Sequence, residues 1–233
     1  MSDVSSSEIA RRTGKNPGPR TGLRSRQNAR LRHVPVTRRV AAWVAAMAHD
    51  PATSFKFVIG FAVAHALLWT IILTALKSAQ DVHMDVAEAY AWGQKLLLGY
   101  GKHPPLSGWV AGVWFRIFPV TDWATYALAM TVTGLGLVIC WLIAVRVVDH
   151  RRAMFSVVML ALKPIFTFKG YKYNADLLQL VTLPLFVLAY LHAFEKRTVR
   201  SGIWLGLAAA LALMTKYWVL TMIGAAGLAA LIH

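Results

Sequence analysis

Asp81, Asp85 and Glu88, with His83, His103, Lys95 and Lys102, are gathered into one polar stretch, residues 81–109, which reads DVHMDVAEAYAWGQKLLLGYGKHPPLSGW. The stretch follows the first long apolar run of an otherwise oily chain. Carboxylates beside cations, placed where a membrane ends, suit chemistry on a lipid-linked substrate. A carboxylate can accept the proton of an acceptor group, and a lysine or histidine can hold a departing phosphate.

The local pattern says how these groups are held. Residues 84–98 are predicted to be helical, with Asp85, Glu88 and Trp92 on one face and Val86, Tyr90 and Leu97 on another. Residues 99–105 break that helix, because Pro104 and Pro105 forbid its continuation and push His103 into an extended conformation. Residues 106–118 are apolar and aromatic but too short to cross a bilayer, so they are expected to form a helix lying at the interface.

The 233 residues have a mean hydropathy of +0.51 and are 57% hydrophobic, in runs long enough to span a bilayer. This predicts an all-α, polytopic membrane bundle of about six spans: residues 55–76, 123–148, 153–168, 177–194, 202–214 and 218–232. The loops at Asp149–Arg152 and Glu195–Arg200 are basic, as cytoplasmic loops should be. That puts residues 81–109 and the KYNAD segment ending at Asp176 on the far side. Residues 1–54 are expected to be a separate, largely disordered cytoplasmic tail, and 55–233 the membrane domain. The formal net charge is +15, much of it in that tail. A basic tail beside a span signals topology or touches anionic lipid, which is preferred here to nucleic-acid binding. The apolar run begins too late and is too long for a secretory signal. Residues 40–47 fit a short interfacial helix or a plain linker. Cys140, the single cysteine, lies in an apolar run and has no internal partner.

DVAEAYAWGQKLLLGYGKHPPLSGW after the first span, KYNADLLQL at the third-to-fourth-span turn and LMTKYW near the end together resemble the glycosyltransferases of the GT-C fold. The similar group contains protein O-mannosyltransferases and bacterial aminoarabinose transferases, glycosyltransferase family 39. The resemblance covers residues 55–233 and implies the N-terminal part of a longer architecture. It implies transfer, with inversion, of a sugar from a polyprenyl-phosphate donor to a glycan, lipid or protein acceptor at the outer face of a bacterial inner membrane. In that setting Asp85 matches the family's acid after the first span and is expected to act as base. Its competing reading is an N-cap. Glu88 is expected to orient acceptor or metal, or to be a solvated helix face, and Asp81 to be a loop residue. Asp176 is a second candidate acid, or a residue favoured by the dipole of the helix it begins. Lys102, His103, Lys172 and Lys216 are candidates for the carrier phosphate; interfacial cations also snorkel to water without any ligand. In some relatives the residue before the histidine is a metal-binding acid. Here it is Lys102, so a divalent metal ion as cofactor stays open. Trp92, Tyr173 and Asn174 are candidate substrate contacts, as are Trp109 and Tyr171 for sugar or prenyl; the alternative for such aromatics at a membrane edge is an interface belt. A different class, a transporter or flippase, would place ionisable residues within the spans, and His65 is the residue that fits it. A non-catalytic fragment is the third alternative.

Overall fold

The computed structural model describes residues 37–39, 41, 42, 45 and 50–232. Residues 37–39, 41, 42 and 45 are helical and exposed. The disorder expected of the tail over 1–36, and the rest of the helix expected at 40–47, lie outside the described residues. Residues 50–232 carry eight α-helices and one 3-10 turn, with no strand among the described residues.

Among the described residues three helices are long and apolar enough to cross a membrane: α1 (Pro51–Lys77), α4 (Asp122–Val147) and α6 (Ala175–Lys196). Helix α1 begins where Asp50 accepts the backbone N–H of Thr53 at 2.9 Å and Pro51 occupies the first turn. Helix α4 is the central element, with half of its most apolar window buried against 22% for α1. Small residues let its neighbours come close. A Cβ on Gly136 would sit 2.7 Å from the carbonyl oxygen of Leu180 in α6. Pro184, inside α6, removes the N–H that this carbonyl would otherwise accept. The helix defect and the glycine thus lie against each other. Leu67, Leu68 and Ile71 of α1 are more than half exposed, a pattern that suits lipid rather than water.

The remaining helices are shorter. Helices α2 (Met84–Lys95) and α3 (Leu106–Ile117) form the predicted helical pair on the loop after α1. Leu96, left-handed at φ 46°, ends α2. The pair is held by two glycines: a Cβ on Gly93 would lie 2.5 Å from the Gly112 nitrogen, and one on Gly112 would lie 2.4 Å from the Gly93 oxygen. The expected third span, 153–168, is not one helix. Helix α5 (His150–Ala161) has 12 residues, about 18 Å of rise against a hydrocarbon thickness of about 30 Å. Lys163 is extended, as the residue before Pro164 prefers, and the chain continues through a 3-10 turn at Pro164–Phe166 and further turns to Asn174. Helices α7 (Val199–Leu213) and α8 (Val219–Ile232) are apolar and of 15 and 14 residues. Helix α7 starts earlier than its apolar run suggests because Thr198 and Ser201 form a capping box.

Two clusters of side chains mark the two ends. Leu73, Val86, Ala111, Leu128, Tyr173 and Leu177 join α1, α2, α3, α4 and the start of α6. Val58, Leu137, Trp141, Met154, Val157 and Phe166 join α1, α4 and α5. At this second end Arg146 of α4 pairs with Glu195 of α6 at 3.0 Å.

The glycine contact makes a fold-level prediction. Gly112→Ala should destabilise the purified protein by about 1–3 kcal/mol, since neither backbone can withdraw without repacking. Gly60→Ala, where nothing lies within 4 Å of the added carbon, should be neutral or stabilising by up to about 1 kcal/mol. Thermal unfolding in detergent distinguishes the two, and equal midpoints would show that the helix pair does not depend on this approach.

Candidate active site

A cavity of about 200 Å3 lies at the α2–α3 end and is lined by Asp85, Glu88, Ala89, Trp92, Lys102, His103, Ser107, Asn174, Ala175 and Asp176. Its walls come from residues far apart in sequence. Helix α2 presents Asp85, Glu88 and Trp92 on one face, as their three-to-four spacing requires. The break before α3 supplies Lys102 and His103, and the first turn of α6 supplies Asn174 and Asp176.

Asn174 holds the arrangement together. Its Oδ1 accepts the Leu177 N–H at 2.9 Å and so caps α6. Its Nδ2 donates to Asp85 Oδ2, also at 2.9 Å. This hydrogen bond is the largest cause of a pKa for Asp85 below the ordinary carboxylate value; partial burial opposes it, and the charges of Lys172 and Lys102 reinforce it. Asp85 is therefore ionised at neutral pH. His83 caps α2 with Nδ1 accepting the Asp85 N–H at 3.2 Å. The same nitrogen lies 3.8 Å from Asp85 Oδ2.

The other two acids have lysine partners. Lys102 Nζ donates to both oxygens of Glu88 at 3.1 Å, and Lys216, in the turn after α7, donates to Asp176. Trp92 stacks on Tyr100 at 4.9 Å and meets His103 edge-on at 6.0 Å. The Tyr100 hydroxyl donates to the Trp92 carbonyl at 2.6 Å. Leu106 N–H donates to the Met214 carbonyl at 3.0 Å, tying the loop that bears Lys102 and His103 to the turn that bears Lys216.

Of the residues singled out from sequence, Asp85, Glu88, Trp92, Lys102, His103, Asn174 and Asp176 line one cavity. Lys216 reaches it through Asp176. Lys172 lies close enough for its charge to act on Asp85 without lining the cavity. Tyr173 differs from expectation: it is fully buried and donates to the Ser107 carbonyl at 3.0 Å. It supports the wall from behind and is not among the residues that line the cavity. Trp109 donates to the Leu97 carbonyl, and Tyr171 lies under Lys77, 4.0 Å from the ammonium to the ring centre; neither lines the cavity. His83, Tyr100 and Ser107 are additions. The signal for Tyr100 is the GYG turn beside the double proline, whereas a histidine N-cap has no strong sequence signature. No group of three His, Cys, Asp or Glu among the described residues could hold a metal ion, and both Glu88 oxygens are taken by Lys102. The residues present do not fit a divalent ion.

Residues 102–233 match the family described as dolichyl-phosphate-mannose-protein mannosyltransferase. The chain belongs to this family. It is also 25% identical over 194 residues to the lipid A galacturonosyltransferase RgtD of Rhizobium johnstonii, which covers 78% of this chain and 38% of the relative. The chain thus spans about two fifths of the length of that curated relative. No solved structure matches. The family match begins at Lys102, so it takes in the lysine–histidine pair, α3 and the Asn174–Asp176 wall, while Asp85 and Glu88 precede it.

The Asn174 geometry predicts a pH signature. Asn174→Ala should raise the Asp85 pKa toward the ordinary carboxylate value, read as the midpoint of the Asp85 side-chain carboxyl signal in an NMR titration. Because the folded-state pKa is depressed, the contact contributes stability at neutral pH that is lost as pH falls through that depressed value. The variant's extra instability should therefore shrink on acidification to the pH-independent loss of the α6 cap, about 1 kcal/mol. An unmoved Asp85 midpoint would remove Asn174 as the cause.

Proposed function

We propose that this chain carries the donor-and-acceptor site of an integral membrane glycosyltransferase. The site transfers a sugar from a polyprenyl-phosphate carrier to an acceptor hydroxyl, by single displacement with inversion, on the extracytoplasmic face of a bacterial inner membrane. The observation that carries the reading is the division of labour among the three cavity acids. Glu88 and Asp176 each hold a lysine, whereas Asp85 is held by the neutral amide of Asn174. Family membership and the galacturonosyltransferase relative support the reaction class.

Displacement at a sugar carbon breaks its bond to the carrier phosphate and forms one to the acceptor oxygen. The acceptor loses its proton and the carrier leaves as a phosphate anion, which needs little protonation. The protein must therefore supply a proton acceptor and positive charge at the leaving group. Asp85 is ionised and ready to accept a proton. Its depressed pKa makes it a weak base, suited to orienting the acceptor and taking the proton late, once carbon–oxygen bond formation has made that proton acidic. Lys102, His103 and Lys216 flank the same cavity and are placed to meet the phosphate. The ion pairs of Lys102 and Lys216 are partly exposed, and pairs of this kind are worth about 0–1 kcal/mol. Exchanging Glu88 or Asp176 for a phosphate is therefore inexpensive. A cavity of this size holds a sugar ring or a phosphate group rather than a whole donor, so the prenyl chain lies outside it in the bilayer.

Two experiments test this. In the full-length protein, Asp85→Asn should lower transfer from a polyprenyl-phosphate sugar to a labelled acceptor by about a hundred- to ten-thousand-fold without loss of membrane insertion. Lys102→Ala or Lys216→Ala should chiefly weaken use of the donor. Near-wild-type turnover of Asp85→Asn would overturn the assignment of the base. For orientation, cysteines placed beside Asp85 and Asp176 in a Cys140-free background should be labelled from the outside, and cysteines beside Arg151 and Lys196 from the inside. Labelling of both sets from one side would refute the sidedness.

A further inference from the structure

The end of the bundle opposite the cavity carries two adjoining hollows that the transfer reaction does not use. The first, about 300 Å3, runs between α6 and α7 and is walled by leucines, among them Leu188 and Leu207. The second, about 290 Å3, is walled by Lys196 and Arg200. His192 and Trp204 line both. The two helices show the same gradient. Along α6, Leu185, Leu188, His192 and Lys196 follow one another at three- and four-residue spacing. Along α7, read backwards, the order is Leu211, Leu207, Trp204 and Arg200. The helices are antiparallel neighbours, so the cations converge at one end and the leucines at the other. Glu195, the adjacent acid, is taken by Arg146. Neither Lys196 nor Arg200 is neutralised by a carboxylate among the described residues.

We propose that these joined hollows bind one anionic glycerophospholipid from the leaflet that meets this end of the bundle. Its phosphate sits between Lys196 and Arg200, and one acyl chain lies along the leucine-walled groove. Three features select this occupant. The order cation, amphipathic ring, aliphatic groove matches the order phosphate, glycerol ester, acyl chain. Trp204 is 55% exposed, as expected of an indole at headgroup depth. Unneutralised Lys and Arg beside a membrane surface favour anionic lipid by about 1 kcal/mol each, roughly fivefold per charge. The site is separate from the cavity around Asp85, and its existence does not depend on the reaction proposed there.

The test is native mass spectrometry of the purified full chain equilibrated with phosphatidylglycerol or with phosphatidylcholine of the same acyl chains. Wild type should retain phosphatidylglycerol preferentially. The double variant Lys196→Gln, Arg200→Gln should lose that preference by roughly an order of magnitude while retaining phosphatidylcholine as before. Lys196→Arg, which keeps the charge, should retain phosphatidylglycerol, and Leu207→Trp, which fills the groove, should lower retention of both lipids. Equal retention of the two lipids by wild type would overturn the proposal, as would undiminished phosphatidylglycerol on the double variant. Displacement of the lipid by glycerol phosphate at equal concentration would show an anion site without an acyl groove. Stronger retention of polyprenyl phosphate than of phosphatidylglycerol would give the groove to the carrier instead. Either result rejects the phospholipid.

Discussion

One hydrogen bond, from the Asn174 amide to the Asp85 carboxylate, joins residues 89 positions apart and fixes the end of the bundle that bears the cavity. Asn174 cannot make this contact freely. Its carbonyl is committed to the first turn of α6, so the donor is aimed by the helix it caps. Asp85 is equally constrained, because His83 caps α2 and sets where its first turn begins. The contact is thus a meeting of two helix starts, each with its own cap, across which the remaining polar groups are arranged. Behind it Tyr173 closes the wall from the Ser107 side. A shift of either helix by one residue would turn the carboxylate away, so the bundle's packing and the site's geometry are one constraint.

The irregular segment 162–174 satisfies part of its backbone through short-range turns. Here the N–H groups of Phe166, Thr167, Lys169 and Gly170 donate to carbonyls of residues 163, 164 and 167, and Phe166, Thr167 and Tyr173 are buried. The close approach of Gly170 to the Ile165 carbonyl, where an added Cβ would come within 2.4 Å, lets the chain double back. The segment delivers Asn174 to the cavity end.

Much of this was legible before the structure. The apolar runs at 55–76, 123–148 and 177–194 became α1, α4 and α6, because length and hydropathy alone decide such helices. The helical face of Asp85, Glu88 and Trp92 followed from periodicity. The double proline ended α2's loop where expected. What could not be read was pairing. Nothing in KYNAD says that its asparagine will meet an acid on another helix, or that its tyrosine will turn inward. Nor could periodicity show that Glu88 would be taken by Lys102 and Asp176 by Lys216, since both pairs cross between elements. The span expected at 153–168 failed for a related reason. Hydropathy averages over a window and does not register that Lys163–Pro164 stops the helix, while the buried face of α5, through Ala153, Met154, Val157 and Ala161, packs on α1 and α4.

The pairing also tells the three acids apart in a way that spacing cannot. An acid bound to lysine is already compensated, so its charge contributes little to a reacting centre until something displaces the lysine. An acid bound to an amide keeps its full negative charge and one oxygen's worth of unused acceptor capacity. The cavity therefore holds one carboxylate bound to an amide and without a direct lysine partner, and two lysines paired with carboxylates at its rim. On the reaction proposed above, a donor phosphate would compete with Glu88 and Asp176 for these two lysines, whose partly exposed pairs are weak enough to open.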